Sequence, residues 1–172
     1  MTMPSKWLFL LDLDGTLWDN EDISLLTPPF KKISDDIIVD SSGISVKLNK
    51  DMVKLLKWAR ENGGITSTLS WNIPYNAIAA LQAFQVIDLF DYITIENTHR
   101  KDRMIMKLLE KIGIERGVQF KPCEMVYIDD RDIHVRDIYS NVGQINFFQA
   151  WIDFNTFEEA VHLIVNALEK CR

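Results

Sequence analysis

The first uninterrupted apolar run, Trp7-Leu8-Phe9-Leu10-Leu11, stops abruptly at Asp12. A short apolar run bounded by polar residues predicts a buried strand, here from Lys6 to Asp12. From Asp12 to Phe30 the pattern breaks up around Gly15, Asp19, Asn20 and Pro28-Pro29, the punctuation of a loop. Between Asp36 and Leu48, the segments Ile37-Ile38-Val39 and Ile44-Ser45-Val46 flank Ser41-Ser42-Gly43, which predicts a hairpin whose glycine supplies the turn. The apolar spacing then lengthens to that of a helix over 50–62, with Asn49 as its cap, Met52, Val53, Leu55, Leu56 and Ala59 on one side, and Gly63-Gly64 as its stop. The same reasoning predicts a strand over 65–69, a helix from Pro74 to about Phe84, a strand over 92–95, and a helix from Lys101 to Ile112 ending at Gly113. A strand over 125–128, a helix reaching about Asn141 and a strand over 144–148 follow. Thr156 caps a last helix, with Glu159 completing a capping box.

Strands separated by helices of this length imply crossovers and a parallel sheet with helices on both faces. The expected fold is α/β: a three-layer sandwich around a central, mostly parallel, five-stranded Rossmann-like sheet, forming a single domain over 1–172. Ligands of such sheets sit at the C-terminal strand ends, near the point where strand order reverses. The chain has 172 residues, 47% of them hydrophobic and 26% charged, enough for a substantial core and unlike a disordered segment. A net charge of -6 disfavours general nucleic-acid binding. The apolar run near the N-terminus is too short for a membrane span or a signal-peptide core, so a cytoplasmic protein with no membrane partner is expected. Cys123 and Cys171, far apart in sequence, fit neither a disulfide framework nor a zinc-ligand spacing and are expected as thiols. The composition leaves monomer and dimer equally open.

The strand tips carry the chemistry. The first ends in Asp12-Leu13-Asp14-Gly15-Thr16, the second in Leu69-Ser70 and the fourth in Asp129-Asp130; Lys101 follows the third as a helix begins. Taken singly these are ordinary turn and cap residues. Converging on one sheet edge, they would place four carboxylates, a hydroxyl and an ammonium in one pocket. Clustered carboxylates repel, which is sensible only around a bound cation. Gly15 permits a sharp turn that brings backbone N–H groups close to a phosphate. His99, His134 and His162 show no metal-ligand spacing and are assigned no chemistry.

Leu10-Leu11-Asp12-Leu13-Asp14-Gly15-Thr16-Leu17 resembles the first motif of the haloacid dehalogenase (HAD) superfamily. Its other motifs follow in order as Ser70, Lys101 and Asp129-Asp130. Trp18, Pro28-Pro29-Phe30, the hairpin and Met125-Val126-Tyr127-Ile128-Asp129-Asp130-Arg131 are similar, more narrowly, to the magnesium-dependent phosphatase-1 family. The resemblance covers roughly residues 6–150. It implies a magnesium-dependent phosphatase with Asp12 as nucleophile, Asp14 as general acid and base, and Ser70 and Lys101 steadying the phosphoryl group. The implied metal ligands are Asp12, the Asp14 backbone carbonyl, Asp129 and Asp130, and the cofactor is Mg2+. Leu13, Gly15, Thr16, Trp71 and Arg131 are the implied substrate contacts, with Trp18, Phe30 and Trp71 forming an aromatic mouth. Trp71 stands where that family carries a basic residue. One helix and one strand fill 70–101, and a loop, the hairpin and one helix fill 12–70. No cap domain fits, so the site is expected to be open, with the hairpin at 36–48 as a small flap. The implied substrate is a phosphorylated small molecule, such as a sugar phosphate, or a phosphoprotein, such as one bearing phosphotyrosine. A phosphotransferase of the same superfamily and an inactive binding module are the alternatives.

Overall fold

The computed structural model describes residues 2–172. β1 (Trp7–Leu11) is buried along its whole length. After it the chain loops through a single 3-10 turn, Ile23–Leu25, and enters a three-stranded antiparallel sheet of β2 (Lys31–Ser34), β3 (Ile37–Val39) and β4 (Ser45–Lys47). The predicted hairpin is present and β2 extends it. The inner residues Ile38 and Val46 are fully buried in the main apolar cluster, so this small sheet is anchored to the body of the protein.

α1 (Lys50–Glu61) starts where the Asn49 side chain accepts the N–H groups of Asp51 and Met52, at 3.0 and 3.2 Å. β5 (Gly64–Thr68) runs on into the short β6 (Ser70–Trp71), and α2 (Pro74–Ala83) opens with proline in its first turn. β7 (Ile95–Glu96) pairs in parallel with β6. α3 (Lys101–Arg116) passes through Gly113 and stops at Gly117, whose φ of +65° is the left-handed cap. β8 (Met125–Asp129), α4 (Val135–Asn141), β9 (Asn146–Gln149) and α5 (Phe157–Glu169) complete the chain. Thr156 Oγ1 accepts the Glu159 N–H at 3.2 Å, but the Glu159 carboxylate returns to the N–H of Asn155, one residue before the predicted partner.

The main sheet is parallel, in the order β5-β1-β8-β9. Its fifth place is held by the segment 92–96, which hydrogen-bonds along 66–72 but achieves regular pairing over only two residues. The expected five-stranded sheet is therefore four full strands and a frayed fifth. Alternation along β1 divides the core between two faces. Trp7, Phe9 and Leu11 pack with Leu55, Leu81 and Ile164 of α1, α2 and α5, whereas Leu8 and Leu10 pack with Ile105, Leu108 and Ile138 of α3 and α4. That is the predicted three-layer sandwich. The chain moves to one side of β1 for β5 and to the other for β8, so strand order reverses at β1 and a crevice opens beyond its C-terminal tip.

The cysteines depart from expectation. Cys123 and Cys171 form a disulfide, with Cα atoms 5.3 Å apart. Packing of α5 beside the turn Pro122–Glu124 brings together residues that are distant in sequence. No helix among the described residues is long and apolar enough to cross a membrane.

Candidate active site

Asp12 lies at the reversal point, one residue beyond β1, and its N–H is held by the Ile128 carbonyl of β8 at 3.0 Å. Parallel pairing of β1 with β8 brings the two acidic tips together. Asp12, Asp129 and Asp130 each offer a carboxylate oxygen, all within 4.8 Å of one another. Lys101, only 1% exposed at the start of α3, sends its ammonium between them, 3.0 Å from Asp12 Oδ1 and 2.8 Å from Asp129 Oδ2. The Tyr127 hydroxyl also meets Lys101 Nζ, at 3.2 Å, and donates to Asp129. Asp129 is wholly buried, and its other oxygen accepts the Arg131 N–H at 3.0 Å. Asp12 and Asp130 face the cleft, while Asp129 closes the trio from behind.

Electrostatics follow from this crowding. Burial pushes the Asp12 carboxyl well up, and the neighbouring Asp129 adds to the rise against the pull of Lys101. Burial acts in the same direction on Asp129, but the Lys101 ammonium and the Tyr127 hydroxyl override it and hold that carboxyl at about 2. Asp130 is raised by burial and by Asp129. Burial lowers the Lys101 ammonium, and the two carboxylates outweigh that and raise it. One lysine thus compensates only part of three close acids. The all-oxygen donor set and the residual negative charge suit a hard divalent cation.

Asp14 stands apart from the trio. Its Oδ1 accepts Trp18 Nε1 at 2.8 Å and the Ile23 N–H at 3.1 Å, and its Oδ2 accepts Asn72 Nδ2 at 2.8 Å. Burial nevertheless lifts its pKa to about 6, with the Trp18 and Ile23 donors holding it back. Such a carboxyl exchanges a proton near neutral pH, as a general acid and base must. Ser70 Oγ is buried with no partner among the described residues, leaving a donor free for a ligand oxygen.

The predicted substrate contacts divide. Trp71 and Arg131 line a cleft of about 650 Å³ together with Asp12, Asp14, Lys101 and Asp130. Leu13, Gly15 and Thr16 do not line this cleft. The Leu13 side chain is buried in the core. The Gly15 N–H is occupied by the Asn20 carbonyl at 2.9 Å and that of Thr16 by the Leu13 carbonyl at 3.0 Å, so neither is turned to a phosphate. Thr16 instead braces the acids: its hydroxyl reaches Asp12 at 3.1 Å and Asp130 at 3.3 Å, and accepts the Asp130 N–H at 3.0 Å. Gly15 makes room for Asp130, since a Cβ there would collide with its carboxylate, and its φ of +70° favours glycine. The aromatic mouth reduces to Trp71, because Trp18 is buried beneath Asp14 and Phe30 packs against the core. No residue of β2, β3 or β4 lines this cleft.

Sequence reasoning missed Tyr127, Asn72 and the brace from Trp151, whose indole N–H donates to the Gly15 carbonyl at 2.8 Å. Tyr127 was detectable, since residues two apart on a strand share a face and Asp129 is its partner. Asn72 and Trp151 carry no such signal. His134, assigned no chemistry, is buried beside the site with its Nε2 unpartnered. Burial, reinforced by Lys101, lowers its pKa to about 4, so the ring is neutral at neutral pH.

A parallel sheet whose reversal point gathers an acidic trio around a buried lysine defines a HAD-like hydrolase, and the chain belongs to the Acid Phosphatase family, whose profile matches residues 4–150. Among individual proteins it is similar to the human (Homo sapiens) magnesium-dependent phosphatase 1, with 26% identity over 133 residues, 76% of this chain and 71% of that one. The fold matches a HAD-superfamily hydrolase from Ehrlichia chaffeensis at a TM-score of 0.61, with 13% identity over 95% of this chain and 97% of the other. It also matches the N-terminal part of protein BF1531 from Bacteroides fragilis, which contains a phosphatase domain complexed with Mg, at a TM-score of 0.59 and 16% identity. That match covers 92% of this chain, which spans only 40% of the Bacteroides one.

Proposed function

We propose that this protein is a magnesium-dependent phosphatase that hydrolyses phosphate monoesters through a phosphorylated Asp12. The observation that carries the reading is the convergence of Asp12, Asp129 and Asp130 within 4.8 Å, with Lys101 bridging the first two. Asp12, Asp129 and Asp130 would hold the ion. When bound, magnesium neutralises the excess negative charge so that an anionic phosphate can approach an anionic carboxylate. The Mg-bound Bacteroides domain and the name of the human relative support the choice of metal.

Asp12 attacks the phosphorus in line, forming a carboxyl–phosphate bond as the ester P–O bond breaks. Asp14 gives its proton to the departing oxygen. It then takes a proton from a water molecule that attacks the same phosphorus, which releases inorganic phosphate and restores the Asp12 carboxylate. Lys101 pulls Asp12 towards its ionised form and holds it in place, and the unpartnered Ser70 hydroxyl donates to a phosphoryl oxygen. Trp18, Ile23 and Asn72 hold Asp14 near the leaving group, which makes it a positioned acid rather than a mobile one. The open cleft admits water to the phosphoenzyme, which favours hydrolysis over transfer to a second substrate. It also leaves room for either a small phosphate ester or a phosphorylated side chain on a protein.

The test is turnover of a phosphate-ester panel by wild-type protein and by Asp12→Asn, with magnesium and with chelator. Wild-type activity should require magnesium. Asp12→Asn should lose at least about 10³-fold in kcat with an unchanged circular-dichroism spectrum. Retained turnover in purified Asp12→Asn protein defeats the nucleophile assignment, and turnover indifferent to chelator defeats the metal.

A further inference from the structure

The cleft is polar on every side but one. Among its lining residues only Trp71 and Ile73 are apolar, and they are 44% and 40% exposed while the rest of the wall is charged, amide-bearing or, at Ser24, a hydroxyl. Trp71 follows Ser70 in β6, and the cleft it lines is the one that Asp12 and Lys101 face. The indole is also held. The His99 ring lies 5.9 Å from it at 62° and the His134 ring 6.4 Å from it at 81°, both edge-on rather than stacked. Two such neighbours fix the orientation of the indole, and 44% of the residue stays exposed to the cleft. His134 is itself buried at 5% exposure, so this support belongs to the packed body of the protein and not to a loose surface.

Building on the phosphatase reading, we propose that Trp71 is a specificity-determining residue: a platform, propped by His99 and His134, on which a flat leaving group lies while its phosphate occupies the site of Ser70 and Lys101. The substrate class it selects is the aryl phosphate, over alkyl and sugar phosphates. A planar ring covers the exposed indole and shares its apolar surface with Ile73. A hydroxyl-bearing sugar at the same place gains no stacking and gives up part of its hydration against an apolar wall.

Binding of two non-hydrolysable probes, phenylphosphonate and ethylphosphonate, separates the platform from the chemistry. Titration calorimetry in magnesium buffer would be run on the wild type, Trp71→Phe, Trp71→Leu and His99→Ala. The wild type should bind phenylphosphonate more tightly, and the ratio of the two Kd values should fall by about fivefold in Trp71→Leu. Trp71→Phe should keep most of the ratio, and His99→Ala should lose part of it. A ratio unchanged in Trp71→Leu overturns the platform while leaving the phosphatase reading intact. A wild type that binds neither probe overturns both. Near-equal ratios in Trp71→Phe and Trp71→Leu would reduce Trp71 to general bulk and overturn the stacking role.

Discussion

Replacing Lys101 by methionine removes the ammonium and keeps the length of the side chain. Lys101 Nζ makes three contacts, at 3.0 Å to Asp12, 2.8 Å to Asp129 and 3.2 Å to Tyr127, and the residue is 1% exposed. Asp12 and Asp129 are 6% and 0% exposed, so the substitution leaves two close and largely buried carboxylates without their counter-charge. Breaking a buried ion pair from one side costs about 3–5 kcal/mol. In a domain of this size each kcal/mol lowers Tm by about 2–4 °C, so Lys101→Met should melt about 6 to 20 °C below the wild type at pH 7 in chelator. The deficit depends on pH in a fixed direction. Without the ammonium, an already raised native carboxyl rises further above its unfolded value of about 3.9, and the native state binds more protons than the unfolded chain. Stability of the variant therefore increases as pH falls from 7 towards 5, and the gap to wild type narrows. Magnesium, binding only the folded trio, should narrow it as well. Thermal unfolding followed by circular dichroism at both pH values, with and without magnesium, tests each part. A variant that melts within 2 °C of wild type, or whose deficit widens on acidification, would refute the account of the site's charge balance.

Asp14→Asn should lower kcat by about 10²–10⁴-fold on an alkyl phosphate and by much less on p-nitrophenyl phosphate, whose leaving group departs without a proton; equal losses on both would remove Asp14 as the acid. Gly15→Ala forces a side chain into φ +70° and against the Asp130 carboxylate, costing about 1–3 kcal/mol and raising the magnesium concentration for half-maximal rate by about tenfold; an unaltered metal requirement would show that Asp130 does not need the space. Reducing the Cys123–Cys171 bridge, which spans 48 residues of sequence, should cost about 4 kcal/mol on chain-entropy grounds and lower Tm by about 8 to 16 °C, as calorimetry with and without reductant would register.

Particular residues explain how much could be read in advance. β1 and β8 were legible because full burial makes both strands continuously apolar, and the acids that end them stand out against that background. β2 was not, because all four of its residues are exposed and no apolar alternation marks it. The strand expected at Tyr92–Ile95 pairs regularly only at Ile95–Glu96. Tyr92 and Ile95 are buried, but the backbone there is satisfied partly by side chains, as where Thr68 Oγ1 accepts the Thr94 N–H at 2.7 Å. Gly113 reads as a helix stop because glycine disfavours helix interiors, yet one further turn of α3 outlasts that cost and Gly117 provides the cap. In the site, Asp12, Lys101, Asp129 and Asp130 came together because parallel topology alone aligns strand tips. The grip of Trp18 and Asn72 on Asp14, and the diversion of the Gly15 and Thr16 N–H groups into the loop itself, depend on a fold of 12–23 that no periodicity encodes.

The bond between Cys123 and Cys171 turns the last third of the chain into a ring, and β8 with Asp129 and Asp130 lies inside it. The exposed bend at 151–155, where Ile152 is 70% accessible, lies on the same ring. A protease that nicks this bend opens the circle without releasing a fragment. The severed α5 stays tethered beside the strand that carries two of the three acids until a reductant sets it free.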